Sequence, residues 1–197
     1  TQGLIAAGHK VKIITIFTHK HNFFPENMSK EYLDNTEIEG VYVDTRLNIV
    51  DAYSSIMTSD SYHVDRFFST DFDIKLTRVL KQENFDIVHL ESLFMTPYIG
   101  TIRRLSKAKI VLRSHNLEFV IWEKIAKGTS NIFKKLYILY LSRKLRNYEL
   151  KLLNEVSGVA TISEEVKKRF IGLGTLKPIT TIPFGIDLHD YHSKVNE

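Results

Sequence analysis

The chain has 197 residues, 43% of them hydrophobic and 25% charged, a balance that fits a folded globular protein and excludes disordered and fibrous classes. It has no cysteine, which removes any disulfide framework, thiolate nucleophile or thiolate metal site and suits a reducing, cytoplasmic setting. Lys and Arg total 27 against 23 Asp and Glu, a formal +4 that favours anionic partners such as phosphates or lipid headgroups but is too small to imply nucleic acid.

No stretch approaches the ~18 uninterrupted apolar residues of a membrane span. Thr1 to Gly8 reads as the tail of a helix with Gly8 as its stop, so the chain is expected to open inside a strand-helix unit whose earlier strand and loop are missing. Val11–Phe17 is β-branched and apolar, predicts a strand, and ends in a basic tip carrying His19 and His21. From Phe23 to Ser69 the pattern is irregular apart from a short strand at Val41–Val43, and residues 46–70 read as a loop or weak helix.

Asp71–Glu83 carries Phe72, Leu76, Val79 and Leu80 at helical spacing, with Thr70 and Asp73 placed to cap it. A strand at Asp86–Leu90 ends in Glu91-Ser92, and a helix near Met95–Ser106 takes Pro97 in its first turn. The strand Ile110–Ser114 runs into His115-Asn116, and a helical stretch follows over Phe119–Lys127. The long helix 131–155 places Ile138, Leu141, Leu145, Tyr148 and Leu152 on one apolar stripe. Val159–Ile162 predicts a strand, Ser163 the cap of a helix whose charges suit its dipole, and Ile179–Ile182 a last strand before Pro183-Phe184-Gly185.

Strands joined by crossover helices run parallel, so the order implies an α/β fold with a doubly wound, mainly parallel sheet. Ligands of such sheets bind beyond the carboxyl ends of the strands. His19 and His21, Glu91, Ser114-His115-Asn116, Ser163 and Phe184-Gly185 all follow apolar strands, which is expected to gather them along one edge.

His115 is the first candidate for chemistry, as a neutral partner of a ligand hydroxyl or a general base; otherwise it satisfies loop backbone groups. Arg113 reads as structurally paired, with Glu91 or Glu118. The spacing of His19 and His21 suits a metal, yet no third ligand stands beside them, so a polar loop tip is favoured and no metal site is assigned. His89 reads as a core or edge histidine. On the long helix Phe133, Leu136, Tyr137 and Tyr140 fall outside the core stripe among Lys135, Arg143, Lys144, Arg146 and Lys151, a mixture suited either to a membrane interface or to a solvated face. Gly-x-Gly-x-x-Gly, Walker, Gly-x-Ser-x-Gly and His-Glu-x-x-His signatures are absent.

Gly8-His-Lys-Val-Lys-Ile13, Phe85-Asp-Ile-Val-His-Leu-Glu91, Ser114-His-Asn-Leu-Glu118, Ala160-Thr-Ile-Ser-Glu164 and Ile182-Pro-Phe-Gly-Ile-Asp187 occur in an order and spacing that resemble the N-terminal domain of retaining GT-B glycosyltransferases of the family-four type. The resemblance covers nearly the whole chain and implies a Rossmann-like domain over residues 1–187. It further implies an interdomain linker from residue 188 to 197 and a C-terminal, donor-binding domain beyond it. It implies metal-independent transfer of a sugar from a nucleotide-sugar to a glycan or lipid-linked acceptor, with no cofactor, and with this domain supplying mainly the acceptor side of the cleft. His115 falls at the histidine that contacts the transferred sugar, with Ser114, Asn116 and Glu118 shaping its loop. Glu91, Ser163, Phe184 and Gly185 fall along the same edge, many relatives having Asn in place of Phe184, while His19, His21 and the loop from Arg46 help choose the acceptor. The isolated fragment is then expected to be inactive. A GT-B nucleotide-sugar epimerase, or a non-catalytic module docking on the inner face of the membrane through residues 131–155, are the alternatives.

Overall fold

A computed structural model describes residues 1–44, 64 and 67–185. Most of the 46–70 segment and the expected linker lie outside the described residues. The described chain forms an α/β fold of parallel strands and helices. It groups into two compact units, residues 1–88 with 94–108, and residues 89–93 with the chain from Lys109 onward.

The first unit opens with α1 (Gln2–Ala6), closed by Gly8 at φ +84°, a conformation that glycine adopts without penalty. Strand β1 (Ile14–Phe17) pairs in parallel with β2 (Glu39–Tyr42), and the connection holds helix α2 (Lys30–Thr36). The irregular reading of 23–69 misses this helix, because seven residues are too few for an apolar stripe to emerge. Its local signal is the cap, Ser29 Oγ accepting from the Tyr32 N–H at 3.1 Å. Helix α3 (Thr70–Gln82) buries Phe72, Leu76, Val79 and Leu80 as their spacing demands. Its cap is Ser69, which accepts from the Phe72 N–H, in place of Thr70 or Asp73, which fall inside the first turn. Around Pro97 the chain forms a 3-10 turn over Leu93–Tyr98, and α4 (Ile99–Leu105) begins only after it.

A four-stranded sheet has the order β3-β4-β5-β6, with β3 (Ile87–Leu90), β4 (Lys109–Ser114), β5 (Gly158–Thr161) and β6 (Ile179–Thr181), and the second unit holds β3 from His89 and the other three strands whole. β4 pairs parallel to β5, and β5 parallel to β6, with Ser114, Thr161 and Thr181 in register. β4 alternates buried and half-buried residues, and Ile110 and Leu112 are 4% and 2% exposed.

Between β4 and β5 lie α5 (Glu118–Lys127) and α6 (Ile132–Glu155), packed along each other. α6 is capped by Asn131, whose Oδ1 accepts from the Lys134 N–H at 3.0 Å. Its buried side chains are Ile138, Leu141, Ser142, Leu145, Glu149, Leu152 and Leu153. The expected stripe is therefore correct except that Glu149, not Tyr148, occupies the buried position between Leu145 and Leu152. Helix α7 (Glu164–Gly172) follows β5 and is capped by Ser163 Oγ, which accepts from the Val166 N–H at 3.3 Å. Phe170, 1% exposed, anchors it, and the helix packs against β5 and β6.

Candidate functional site

The carboxyl ends of β4, β5 and β6 carry a row of hydroxyls: Ser114 (6% exposed), Thr161 (0% exposed) and Thr181. A buried hydroxyl needs a partner. Ser114 Oγ donates to the Asn116 carbonyl at 2.9 Å, and Thr161 Oγ1 to the Ser163 carbonyl at 3.3 Å, so the same bond pins the turn after each of two neighbouring strands. Thr161 and Thr181 hydroxyls also lie 3.3 Å apart. Ser114 thus supports the turn that presents His115 from beneath.

His115 stands in a cluster drawn from three strand ends. Its Nε2 is 3.7 Å from Glu91 Oε2, and the same oxygen is 3.8 Å from Arg113 Nε. Glu91 Oε1 lies 3.9 Å from His89 Nε2. These separations are longer than hydrogen bonds, and Arg113 opposite Glu91 is the fixed ion pair among them. Arg113 Nε and His115 Nε2 are accordingly buried atoms that hydrogen-bond to none of the described residues. Phe184 closes the group, its ring in an edge arrangement 5.4 Å from the His115 ring and 5.0 Å from the Arg113 guanidinium carbon. Burial holds the His89 imidazole below its ordinary pKa, against the pull of Glu91, so His89 stays neutral while Arg113 supplies the fixed positive charge.

Beside this cluster lies a cavity of about 240 Å³ whose walls include His115, Asn116, Leu117, Lys124, Ser163 and Arg169. That volume is below the ~300–1,000 Å³ of a self-sufficient small-molecule pocket, as expected of one wall of a larger cleft. Apolar side chains share its walls with one hydroxyl (Ser163), an amide and an imidazole, a set that hydrogen-bonds polyols, while Arg169 is paired with Glu165, another wall residue, at 2.6 Å and Lys124 supplies the remaining positive charge. Lys124 and Arg169 escape sequence reasoning because each is one basic residue on the surface side of an amphipathic helix.

The expected site residues thus divide. Glu91, Ser114, His115, Asn116, Ser163 and Phe184 come together around the ends of β3 to β6. Gly185 follows Phe184, with open space where a Cβ would stand. His19 and His21 are exposed residues after β1, in the two-stranded sheet rather than the four-stranded one, where the Thr18 and His21 backbones bond reciprocally at 2.9 and 3.1 Å. Glu118 is half-buried at the start of α5, and burial raises its carboxyl pKa.

The residue that sequence reasoning misses is Glu149. Leu117, at the N-cap of α5, has no side chain able to accept from the first-turn N–H groups. Glu149 reaches them from α6, Oε1 accepting from the Glu118 N–H at 3.1 Å and Oε2 from the Phe119 N–H at 3.0 Å. It is 3% exposed, and burial lifts its pKa to about 7 despite these two bonds, with the Glu118 carboxylate adding to the rise. The legible signal is an acid in the middle of an apolar stripe, opposite a helix start that lacks its own cap.

A parallel α/β domain with polar groups converging beyond its strand ends, beside a cavity with hydrogen-bonding walls, defines a Rossmann-like ligand-binding domain. The description of Glycosyltransferase Family 4 matches residues 1–190, and the chain belongs to that family. It is a glycosyltransferase domain, whose substrates are a sugar donor and an acceptor. A search among curated proteins found no match.

Proposed function

We propose that this domain forms the acceptor side of the cleft in a retaining glycosyltransferase that moves a sugar from a nucleotide-sugar to a glycan or lipid-linked acceptor. The observation that carries the reading is that the buried His115 Nε2 and Arg113 Nε, 3.7 and 3.8 Å from Glu91, hydrogen-bond to none of the described residues, and that His115 stands in the wall of a cavity that Asn116 and Ser163 also line. A sugar hydroxyl or a phosphate oxygen would give His115 Nε2 the hydrogen bond that Glu91, at 3.7 Å, is too distant to make. In this reading His115 hydrogen-bonds the transferred sugar, Asn116 and Ser163 bind along the same wall, and Phe184 gives the sugar an apolar edge. His19 and His21 contribute to acceptor choice. The bond to the departing nucleoside diphosphate breaks and one to the acceptor oxygen forms on the same face of the sugar, the acceptor's hydroxyl proton passing to the departing diphosphate oxygen, with rate supplied by alignment and electrostatics rather than by a bound metal or cofactor.

The test is product analysis with nucleotide-sugars labelled at the anomeric carbon, supplied to the full-length protein with glycan and lipid-linked acceptors. A labelled glycoside with the donor's anomeric configuration supports the reading. Inverted product removes retention, and an epimerised nucleotide-sugar without acceptor dependence replaces transfer by epimerisation.

A peripheral contact with an anionic membrane surface, on the cytoplasmic side, has an observation of its own. Phe133, Leu136, Tyr137 and Tyr140 on α6 are 81%, 57%, 39% and 38% exposed, among Lys134, Lys135, Arg143 and Lys144. Among the described residues no helix is long and apolar enough to cross a membrane. Flotation with anionic liposomes is expected to carry the protein, and a Phe133→Ser/Leu136→Ser variant to remain at the bottom; equal flotation of both removes the contact.

A further inference from the structure

The turn that carries His115 is fixed at its strand end by Ser114, but its helix end has no cap of its own. α6 supplies what is missing at successive turns. Ser142 Oγ, 0% exposed, donates to the Phe119 carbonyl at 3.0 Å. Arg146 places its guanidinium carbon 5.7 Å from the centre of the Phe119 ring. Glu149 accepts from both first-turn N–H groups, one to each oxygen. Residues 142, 146 and 149 are spaced to lie along one side of a helix, so a single straight edge of α6 grips the first turn of α5.

We propose that Glu149 is the positioning residue of the His115 turn: its carboxylate, fixed on α6, holds the start of α5 and so sets where His115, Asn116 and the α5 wall of the cavity stand. Two residues separate His115 from Glu118, the first N–H that Glu149 holds, and one of them, Leu117, is 4% exposed, so displacement of the α5 start is transmitted to the imidazole. The geometry also accounts for an otherwise unfavourable residue. A buried, ionised carboxylate weakens a core, and an apolar residue there would pack along α6 without that penalty. A carboxylate has two oxygens for two N–H groups, and neither Gln nor an apolar side chain reproduces both bonds. Protonation removes one acceptor in the same way, so the grip is strongest when Glu149 is charged. The groups acting on that charge are the Glu118 carboxylate, which opposes it, and the Glu118 and Phe119 N–H groups, which favour it; Arg146 is engaged with the Phe119 ring.

The consequence for catalysis rests on the reading of His115 as the sugar-facing residue, and the test separates the two. In nuclear magnetic resonance spectra of the full-length protein, the Glu118 and Phe119 amide signals are expected to shift together across a midpoint near 7, the pKa of Glu149. In Glu149→Gln that step disappears and the His115 ring carbon signal moves. Transfer of labelled sugar by the same variant falls about tenfold or more in kcat, with donor KM changed far less. The wild-type titration needs no substitution, so the anchor is testable even where the variant folds poorly. Absence of the amide step, or an unmoved His115 ring in folded Glu149→Gln, overturns the anchor. Full transfer by Glu149→Gln, with His115→Ala inactive, overturns the positioning role. Full transfer by His115→Ala overturns the sugar-facing reading instead, and leaves the anchor to be judged by the amide signals alone.

Discussion

Replacing Glu149 by Gln should change how the stability of this protein depends on pH, by an amount that follows from the structure. Its carboxyl titrates near an ordinary 4.5 in the unfolded chain and at about 7 when folded, because it is buried. The folded state therefore holds the proton more tightly. The stability that this gives is complete below about pH 4.5 and is lost progressively as the pH rises through about 7. At roughly 1.4 kcal/mol per pH unit, the gap amounts to about 3 kcal/mol between those limits. Gln does not titrate, so the stability difference between wild type and Glu149→Gln should swing by about 3 kcal/mol between pH 4.5 and 8, with wild type losing ground at the alkaline end. Urea unfolding of both proteins at four or five pH values measures the swing, and shared contributions from other groups cancel in the difference. A difference constant to within about 1 kcal/mol would refute the assignment of a buried, titrating carboxylate at the start of α5.

Two further predictions probe the core and the rim of the site. Leu145 is 0% exposed on α6, so Leu145→Ala should cost about 2–5 kcal/mol in urea unfolding; a cost below about 1 kcal/mol would mean that α6 does not anchor its unit. Phe184 is 64% exposed but closes over Arg113 and His115, so Phe184→Ala should change stability by no more than about 1 kcal/mol while lowering kcat/KM for transfer. Unchanged kcat/KM would remove Phe184 from the site.

Much of this arrangement is legible from local chemistry. β-branched runs that end in polar residues mark β4 and β5, and Ser163 caps the helix that the sequence assigns to it. The buried faces of α3 and α6 follow from the spacing of their apolar residues. What escapes has a physical reason in each case. α2 is too short to show a period, and the 3-10 turn at Leu93–Tyr98 reflects how Pro97 is accommodated before α4. Ser69, rather than Thr70, caps α3 because the cap must be extended while the next residue is already helical. Glu149 meets a helix start about thirty positions earlier in the chain, a pairing that only the packing of α6 on α5 creates. The polar atoms around His115 were visible as residues; their convergence on Glu91, at distances that leave two nitrogens without a hydrogen bond among the described residues, is a property of the sheet.

The central claim is that His115 faces the transferred sugar in a glycosyltransferase of this family. The most direct measurement compares wild type with His115→Ala in the full-length protein, following labelled sugar from donor to acceptor and recording the melting temperature alongside. The imidazole is partly exposed and its Nε2 bonds to none of the described residues, so the substitution should leave the melting temperature essentially unchanged while most transfer activity is lost. Near-normal turnover in the folded variant would contradict the account.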